Sequence, residues 1–246
     1  MILTIYIIIL IYFILGGAGF YLIGRKKSRD QAREILVKYI TYFFIIHVLF
    51  FSIIFNTAFF HYLAILIILT GFAEIFLLFR RSDFRRKYFF FVFLFLFLVF
   101  SAGFYRFSQM EKGILLFTFL VLSIFDAFSQ ISGQLMGRRK IFPAVSPGKT
   151  YEGFIGGALI AVASSLLLRG LIETQIFNTL ILAAGIVIFA FAGDMATSLY
   201  KRKYNVKDFS NLLPGHGGFL DRFDSLVAGG AFIAWLSGGY FEKILF

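Results

Sequence analysis

Apolar residues run in long blocks along this chain, and most of the polar residues that separate the blocks are basic. Eight blocks are long enough for a helix to cross a hydrocarbon core of roughly 30 Å, which takes about 20 residues. They are 2–23, 39–56, 58–79, 88–107, 113–133, 151–172, 176–199 and 218–241. The second block joins the third at Asn56-Thr57 with almost nothing between them, which predicts a tight hairpin. The first block is longer than a secretory signal core and no Lys or Arg precedes it, so it reads as a mature helix. The pattern predicts an all-α, polytopic integral membrane protein of about eight transmembrane helices, with room for a ninth, re-entrant segment.

Composition sharpens this reading. Of the 246 residues, 60% are of apolar type, 15% are charged, and 37 are Phe. Mean hydropathy is +0.88. A soluble domain carries roughly 25% charged residues, and disorder requires low hydrophobicity. There are no cysteines, which excludes a disulfide scaffold, a Cys-type zinc site and a Cys nucleophile.

The net charge of +11 does not point to nucleic acid, because the bases are placed as topology signals. One cluster is Arg25, Lys26, Lys27, Arg29, Arg33 and Lys38; a second is Arg80, Arg81, Arg85, Arg86 and Lys87. A third is Arg138, Arg139, Lys140 and Lys149, and a fourth is Lys201, Arg202, Lys203, Lys207 and Arg222. These follow the first, third, fifth and seventh blocks. Only Arg106, Lys112, Arg169 and Lys243 of the 24 Lys and Arg fall on the other side. The alternation predicts both termini outside and the long loops, 134–150 and 200–217, in the cytoplasm. Residues 1–110 read as scaffold helices and 111–246 as the working region, where acids sit in or beside spans. Gly153 and Gly157 form a small-x-x-x-small pair that suits either internal packing or a homodimer contact.

Carboxylates are costly inside a membrane and usually line a cavity or hold a cation. Glu74, Asp126, Asp194, Asp221 and Asp224 all fall toward the cytoplasmic ends of their helices under this topology. Asp221 and Asp224 share a helix face, as do Asp194 and Ser198. Hard oxygen ligands at one depth suit Mg²⁺, which takes one or two carboxylates plus phosphates. The plainer alternative is that each Asp pairs with a neighbouring base such as Arg222 or Lys201.

Two loops suit phosphate. Gly148, Lys149 and Thr150 look like the end of a P-loop, but Pro143 stands where its first glycine belongs and no strand is expected before it. What remains is a flexible turn that offers Ser146, Lys149 and Thr150 at the start of a helix, where free N–H groups favour an anion. Glu152 there equally suits an ordinary first-turn acid. The second loop places Gly215, Gly217 and Gly218 around His216, where glycine permits close backbone approach to a ligand. His47 and His61, on apolar blocks, read as packed or interfacial residues.

This second loop resembles the signature of the CDP-diglyceride synthetase family, also called phosphatidate cytidylyltransferase. The resemblance rests on Ser198, Lys201, Arg202, Lys207, Asp208, Ser210, Leu213, Pro214, His216, Gly217, Gly218, Phe219, Asp221, Arg222, Phe223 and Asp224, all in register. Tyr200 departs from it, since an aliphatic residue or Phe is usual there. Ser146, Pro147, Lys149, Thr150, Tyr151 and Gly153 resemble an upstream segment of the same family, and Gly193 with Asp194 also fits. Around Asp126 the likeness is poorer: Phe128 and Gly133 replace the usual Ala-Tyr and closely following Gly pattern. The resemblance covers about residues 122–230.

The resemblance implies transfer of CMP from CTP to phosphatidate in the cell inner membrane, on its cytoplasmic side, with CDP-diacylglycerol and pyrophosphate as products. It implies Mg²⁺, with room for a second cation, on Asp194 and Asp221 assisted by Asp224. Lys149, Lys201, Arg202, Lys207 and Arg222 would neutralise phosphates, and Ser146 and Thr150 would donate hydrogen bonds. Ser198, Gly217, Gly218 and Asp126 would help bind substrate, and His216 would contact phosphate or move a proton. The rival readings are a CTP-dependent polyprenol or phytol kinase, a cation-coupled transporter and a non-catalytic scaffold. A kinase would release CDP, and a transporter would carry an inverted repeat.

Overall fold

The structure is a computed structural model that describes residues 2–25, 28–210 and 217–238. Among these, eight helices follow one another, joined by one small hairpin. They are α1 (Ile2–Gly24), α2 (Arg29–Phe55), α3 (Thr57–Arg81), α4 (Lys87–Phe107), α5 (Lys112–Met136), α6 (Tyr151–Ser165), α7 (Ile176–Lys203) and α8 (Leu220–Ser237). Between α5 and α6 lie β1 (Lys140–Phe142) and β2 (Ser146–Thr150), which pair antiparallel with Lys140 opposite Thr150 and Phe142 opposite Ser146. The fold is thus α-helical with a two-stranded addition, and the expected flexible turn at 146–150 is a strand instead.

Six helices, α1 to α5 and α7, are long and apolar enough to cross a membrane by length and composition. The protein is a multi-pass membrane protein. The other two predicted spans differ for physical reasons. α8 carries Asp221, Arg222 and Asp224 in its first turns, and the predicted end of its block, at 241, lies outside the described residues. α6 has 15 residues, about 22 Å at 1.5 Å per residue, and stops well before 172. Its last residues, Ser164 and Ser165, donate their hydroxyls to Ile160 O and Val162 O, both at 2.6 Å. Local bonds of this kind compete with the helical ladder. Tight turns and a 3₁₀ turn at Arg169–Leu171 follow.

α2 begins ten residues before its apolar block because Ser28 and Gln31 form a capping box, which hydropathy does not register. α2 and α3 are separated by Asn56 alone, whose side chain accepts the Ala58 N–H at 2.9 Å, so the tight hairpin is borne out. His47 packs on Phe43 at 3.9 Å between ring centres, and His61 bonds Ser108 Oγ at 2.8 Å. Both are packing residues.

α5 is the central helix and touches α1, α2, α6, α7 and α8. Gly153 and Gly157 face it: a Cβ on Gly157 would lie 2.7 Å from Ser129 N, and one on Gly153 would lie 2.8 Å from Ser129 O. The small-residue pair therefore serves packing within the chain. A second core joins α3, α4, α7, the segment after α7 and the start of α8 through Ile75, Phe79, Phe90, Phe93, Tyr200, Phe209 and Leu220. Tyr200 is wholly buried there, stacked on Phe93 at 4.2 Å, with its hydroxyl donating to Ile75 O at 3.0 Å. The Phe-rich α4 thus supplies the aromatic surroundings that accommodate the departure at position 200.

Candidate functional site

The hairpin and the start of α6 are locked together. Thr150 ends β2 and caps α6, its Oγ1 accepting the Gly153 N–H at 3.1 Å. Glu152 accepts the Arg138 N–H at 3.0 Å and the Arg139 N–H at 3.2 Å. It ties the hairpin down besides favouring the helix dipole. This clamp fixes Lys149, whose Nζ lies 2.6 Å from Asp194 Oδ2 on α7. Burial alone would lower the Lys149 pKa, but the carboxylates of Asp194 and Asp126, with Asp224 behind them, outweigh it and hold the pKa above the ordinary lysine value.

α7 and α8 approach closely at Gly193, where a Cβ would fall 2.9 Å from Asp224 O. That approach brings Asp194 beside the acids of α8. Asp224 is buried, accepting from Thr197 Oγ1 at 2.5 Å and from the Ser225 N–H at 2.7 Å. The side chain of Asp221 is also buried, and both its oxygens are occupied. One pairs with Lys201, and the other accepts the N–H groups of Phe209 at 3.1 Å and Gly218 at 2.8 Å. For Asp221, then, pairing with a neighbouring base is what the structure displays. Glu74 caps α8 from α3, accepting from Phe219 N at 2.9 Å, Leu220 N at 2.7 Å and Ser210 Oγ at 2.6 Å.

Several of these groups line a polar cavity of ≈ 1180 Å³ that is open to solvent. Nine of the residues expected from the sequence line it: Asp126, Ser146, Lys149, Thr150, Asp194, Lys201, Asp221, Arg222 and Asp224. Others do not. Ser198 is buried and Lys207 is exposed, and neither lines the cavity. Arg202 fastens the hairpin, Nε donating to Val145 O at 3.0 Å and Nη1 to Val206 O at 2.8 Å. Gly217 (φ +80°) and Gly218 press on protein carboxylates rather than on the cavity, their Cβ positions lying 2.8 Å from Asp208 Oδ1 and 2.7 Å from Glu74 Oε1. His216 lies outside the described residues.

Sequence reasoning missed Tyr42, Gln130, Gln134 and Asp208 as wall residues, and Thr197 as the partner of Asp224. Asp126, Gln130 and Gln134 recur every four residues, a polar stripe on one face of α5 that spacing alone reveals. Tyr42 had no such signal. It reaches the wall because α2 packs on α5, and there it is hydrogen-bonded to Arg222.

The walls carry five acids, Asp126, Asp194, Asp208, Asp221 and Asp224, against three bases, Lys149, Lys201 and Arg222. A cavity with surplus carboxylate repels a polyphosphate unless a cation accompanies it. Among the described residues no three acids or histidines stand close enough to hold an ion by themselves. Of Asp194, Asp221 and Asp224, Asp221 is here paired with Lys201 and two backbone N–H groups. Asp194 and Asp224 suit the arrangement Mg²⁺ adopts with one or two carboxylates and substrate phosphates.

The family model described as "Cytidylyltransferase family" matches residues 2–238. Among curated proteins, the phosphatidate cytidylyltransferase of Staphylococcus epidermidis is 39% identical over 127 residues, covering 50% of this chain and 49% of the relative. That of Haemophilus influenzae is 38% identical over 130 residues, covering 50% and 44%. That of Staphylococcus aureus is 36% identical over 115 residues, covering 46% and 44%. The chain spans about half the length of the curated relatives it matches. With the family model matched almost from end to end, the chain belongs to the cytidylyltransferase family.

Proposed function

We propose that the protein transfers CMP from CTP to phosphatidate, giving CDP-diacylglycerol and pyrophosphate, at the cytoplasmic face of the cell inner membrane with both termini outside. The observation that carries this reading is the polar cavity itself. It combines a lysine on a clamped hairpin with carboxylates from α7 and α8 in a bundle of apolar helices. The names of the relatives support the same substrates.

In this reading a lipid phosphate oxygen attacks the α-phosphorus of CTP in line. The new P–O bond forms as the bond to the β-phosphate breaks, and pyrophosphate leaves. Both reactants are anions, so positioning and charge compensation are the main tasks. Lys149 and Arg222 meet phosphate charge from two sides of the cavity, and Ser146 donates a hydrogen bond from the hairpin. Lys201, held by Asp221, adds a third positive group. Arg202 keeps the hairpin tip in place, and Lys207 and His216 serve nucleotide approach. Mg²⁺ bound by Asp194 and Asp224 would supply compensation of charge on the triphosphate. No general base is required, because a phosphate monoester with a second pKa of about 6 is already ionised near neutrality.

The test is turnover of the purified protein in detergent with CTP, phosphatidate and Mg²⁺, following pyrophosphate and CDP-lipid together. Equal amounts of both, lost in Asp194→Asn and Asp224→Asn, are expected. Release of CDP without CDP-lipid would instead mark a CTP-dependent lipid kinase.

A further inference from the structure

Beside the polar cavity lies a second space of opposite character. It runs between α1, α2 and α5, is lined largely by apolar side chains such as Ile8, Phe13, Ile46 and Phe128, and holds ≈ 700 Å³ of free volume. Tyr42 and Gln130 line both spaces, so the groove and the cavity adjoin at these two side chains. From Gln130 to Leu120 it follows α5 for about 15 Å, at 1.5 Å per residue.

One glycine bears on its purpose. Gly16 is buried on the α1 wall, yet a Cβ placed there would meet no atom within 4 Å. Its neighbours Gly17 and Gly19 are different: their Cβ positions lie 2.9 Å from Tyr39 Oη and 3.1 Å from an Ile131 methyl. Close helix packing accounts for those two glycines. At Gly16 it does not, and the missing side chain leaves the groove open.

We propose that this groove receives one acyl chain of the lipid substrate, with the phosphate in the polar cavity and Tyr42 and Gln130 at the boundary between head and tail. The inference rests on the functional reading above. The occupant follows from continuity: a molecule that fills both spaces needs an anionic head joined directly to a long apolar tail. A nucleotide has no such tail. A helix of a second copy presents no such anionic head to the polar cavity.

The first arm of the test needs no turnover. A phosphatidate with a diazirine in its acyl chain is bound to the whole protein in nanodiscs, irradiated, and mapped by peptide mass spectrometry. Label is expected in residues 8–20 and 120–128, competed by unlabelled phosphatidate and reduced in Gly16→Phe. In the second arm, Gly16→Phe lowers kcat/KM for dioleoyl phosphatidate about ten-fold, the scale of discrimination an apolar pocket provides. Turnover of dihexanoyl phosphatidate, whose six-carbon tails leave most of the groove empty, falls several-fold less. Should Gly16→Phe fail to fold, Ala127→Leu narrows the groove from α5 and replaces it. Label confined to other helices, or equal loss with both lipids, overturns the proposal. Label in the groove from a wild-type protein that makes no CDP-lipid from either phosphatidate would leave the acyl site standing and remove the transferase reading instead.

Discussion

The carboxylate of Glu74 on α3 accepts the backbone N–H of Leu220 on α8 at 2.7 Å, across 146 residues of sequence. The first N–H groups of a helix have no partner within it, and Phe219, at the cap position, provides no side-chain bond. An acid from a distant helix does this work and also complements the positive end of the helix dipole. Asp221, Arg222 and Asp224 follow within the next turns, so the direction in which they project depends on Glu74.

Glu74→Gln removes the charge and one acceptor from a buried position. A cost of about 1–3 kcal/mol is expected, read as a lower melting temperature in detergent. Turnover should fall as well, although Glu74 does not line the cavity. An unchanged melting temperature would show that α8 is held by other means.

Lys149 bridges the hairpin and α7, and Lys149→Ala is expected to lower kcat/KM by about 100-fold or more, the scale of a lost preorganised donor. Its pKa is raised relative to the unfolded chain, despite burial, by Asp194 and Asp126. The pair's contribution to stability is therefore fully present below about pH 10.4, the unfolded lysine value. It is lost only as pH rises through the still higher folded value. Activity between about pH 7 and 10 should show no alkaline limb from this residue. The check is a comparison with Lys149→Arg: a limb present in the wild type and absent in that variant would contradict the assignment.

Thr197 gives Asp224 its side-chain hydrogen bond at 2.5 Å. Thr197→Val keeps the shape and removes the donor, leaving a buried carboxylate oxygen short of a partner. A stability loss of about 1–3 kcal/mol is expected, with reduced turnover and a changed dependence on Mg²⁺ concentration. Thr197→Ser should restore both, which separates the hydrogen bond from methyl packing.

Tyr42→Phe deletes the hydroxyl that meets Arg222. Since Tyr42 stands where the two cavities join, the expected result is a higher KM for phosphatidate with little change in KM for CTP. A change confined to CTP would place Arg222 on the nucleotide side alone.

Gly157→Ala would press a methyl group against Ser129 N at 2.7 Å, backbone against which a side chain cannot shift. Overpacking of this kind costs about 1–3 kcal/mol, so loss of thermal stability is the readout. If stability is unaffected, α6 and α5 can separate more easily than their contact implies.

Most long helices were legible because apolar length is a local property, and the shared depth of Asp126, Asp194, Asp221 and Asp224 followed from where each falls in its block. The hairpin was not, since Pro143, Pro147 and strands of three and five residues leave no alternating pattern. The early end of α6 was hidden because hydropathy continues through Leu166, Leu167 and Leu168 while the backbone passes into tight turns. For Asp221 the spacing left both a metal role and pairing with a neighbouring base open. Its commitment to Lys201 and Gly218 is a tertiary fact, as is the use of Glu74 and Tyr42, from the presumed scaffold, in building the site. The Asp126, Gln130, Gln134 stripe, by contrast, was present in the spacing and could have been read.

The cavity walls draw on residues from Tyr42 to Ser225, and this has a bearing on biosynthesis. Chains emerge N-terminus first, so at the ribosome Lys149 and Asp194 are in place before any of the α8 acids exist. A nascent or truncated chain lacking α8 can embed its long apolar helices and still have no complete polar chamber. Membrane insertion and competence for chemistry are therefore separate events, and the second waits for the last helix of the described chain.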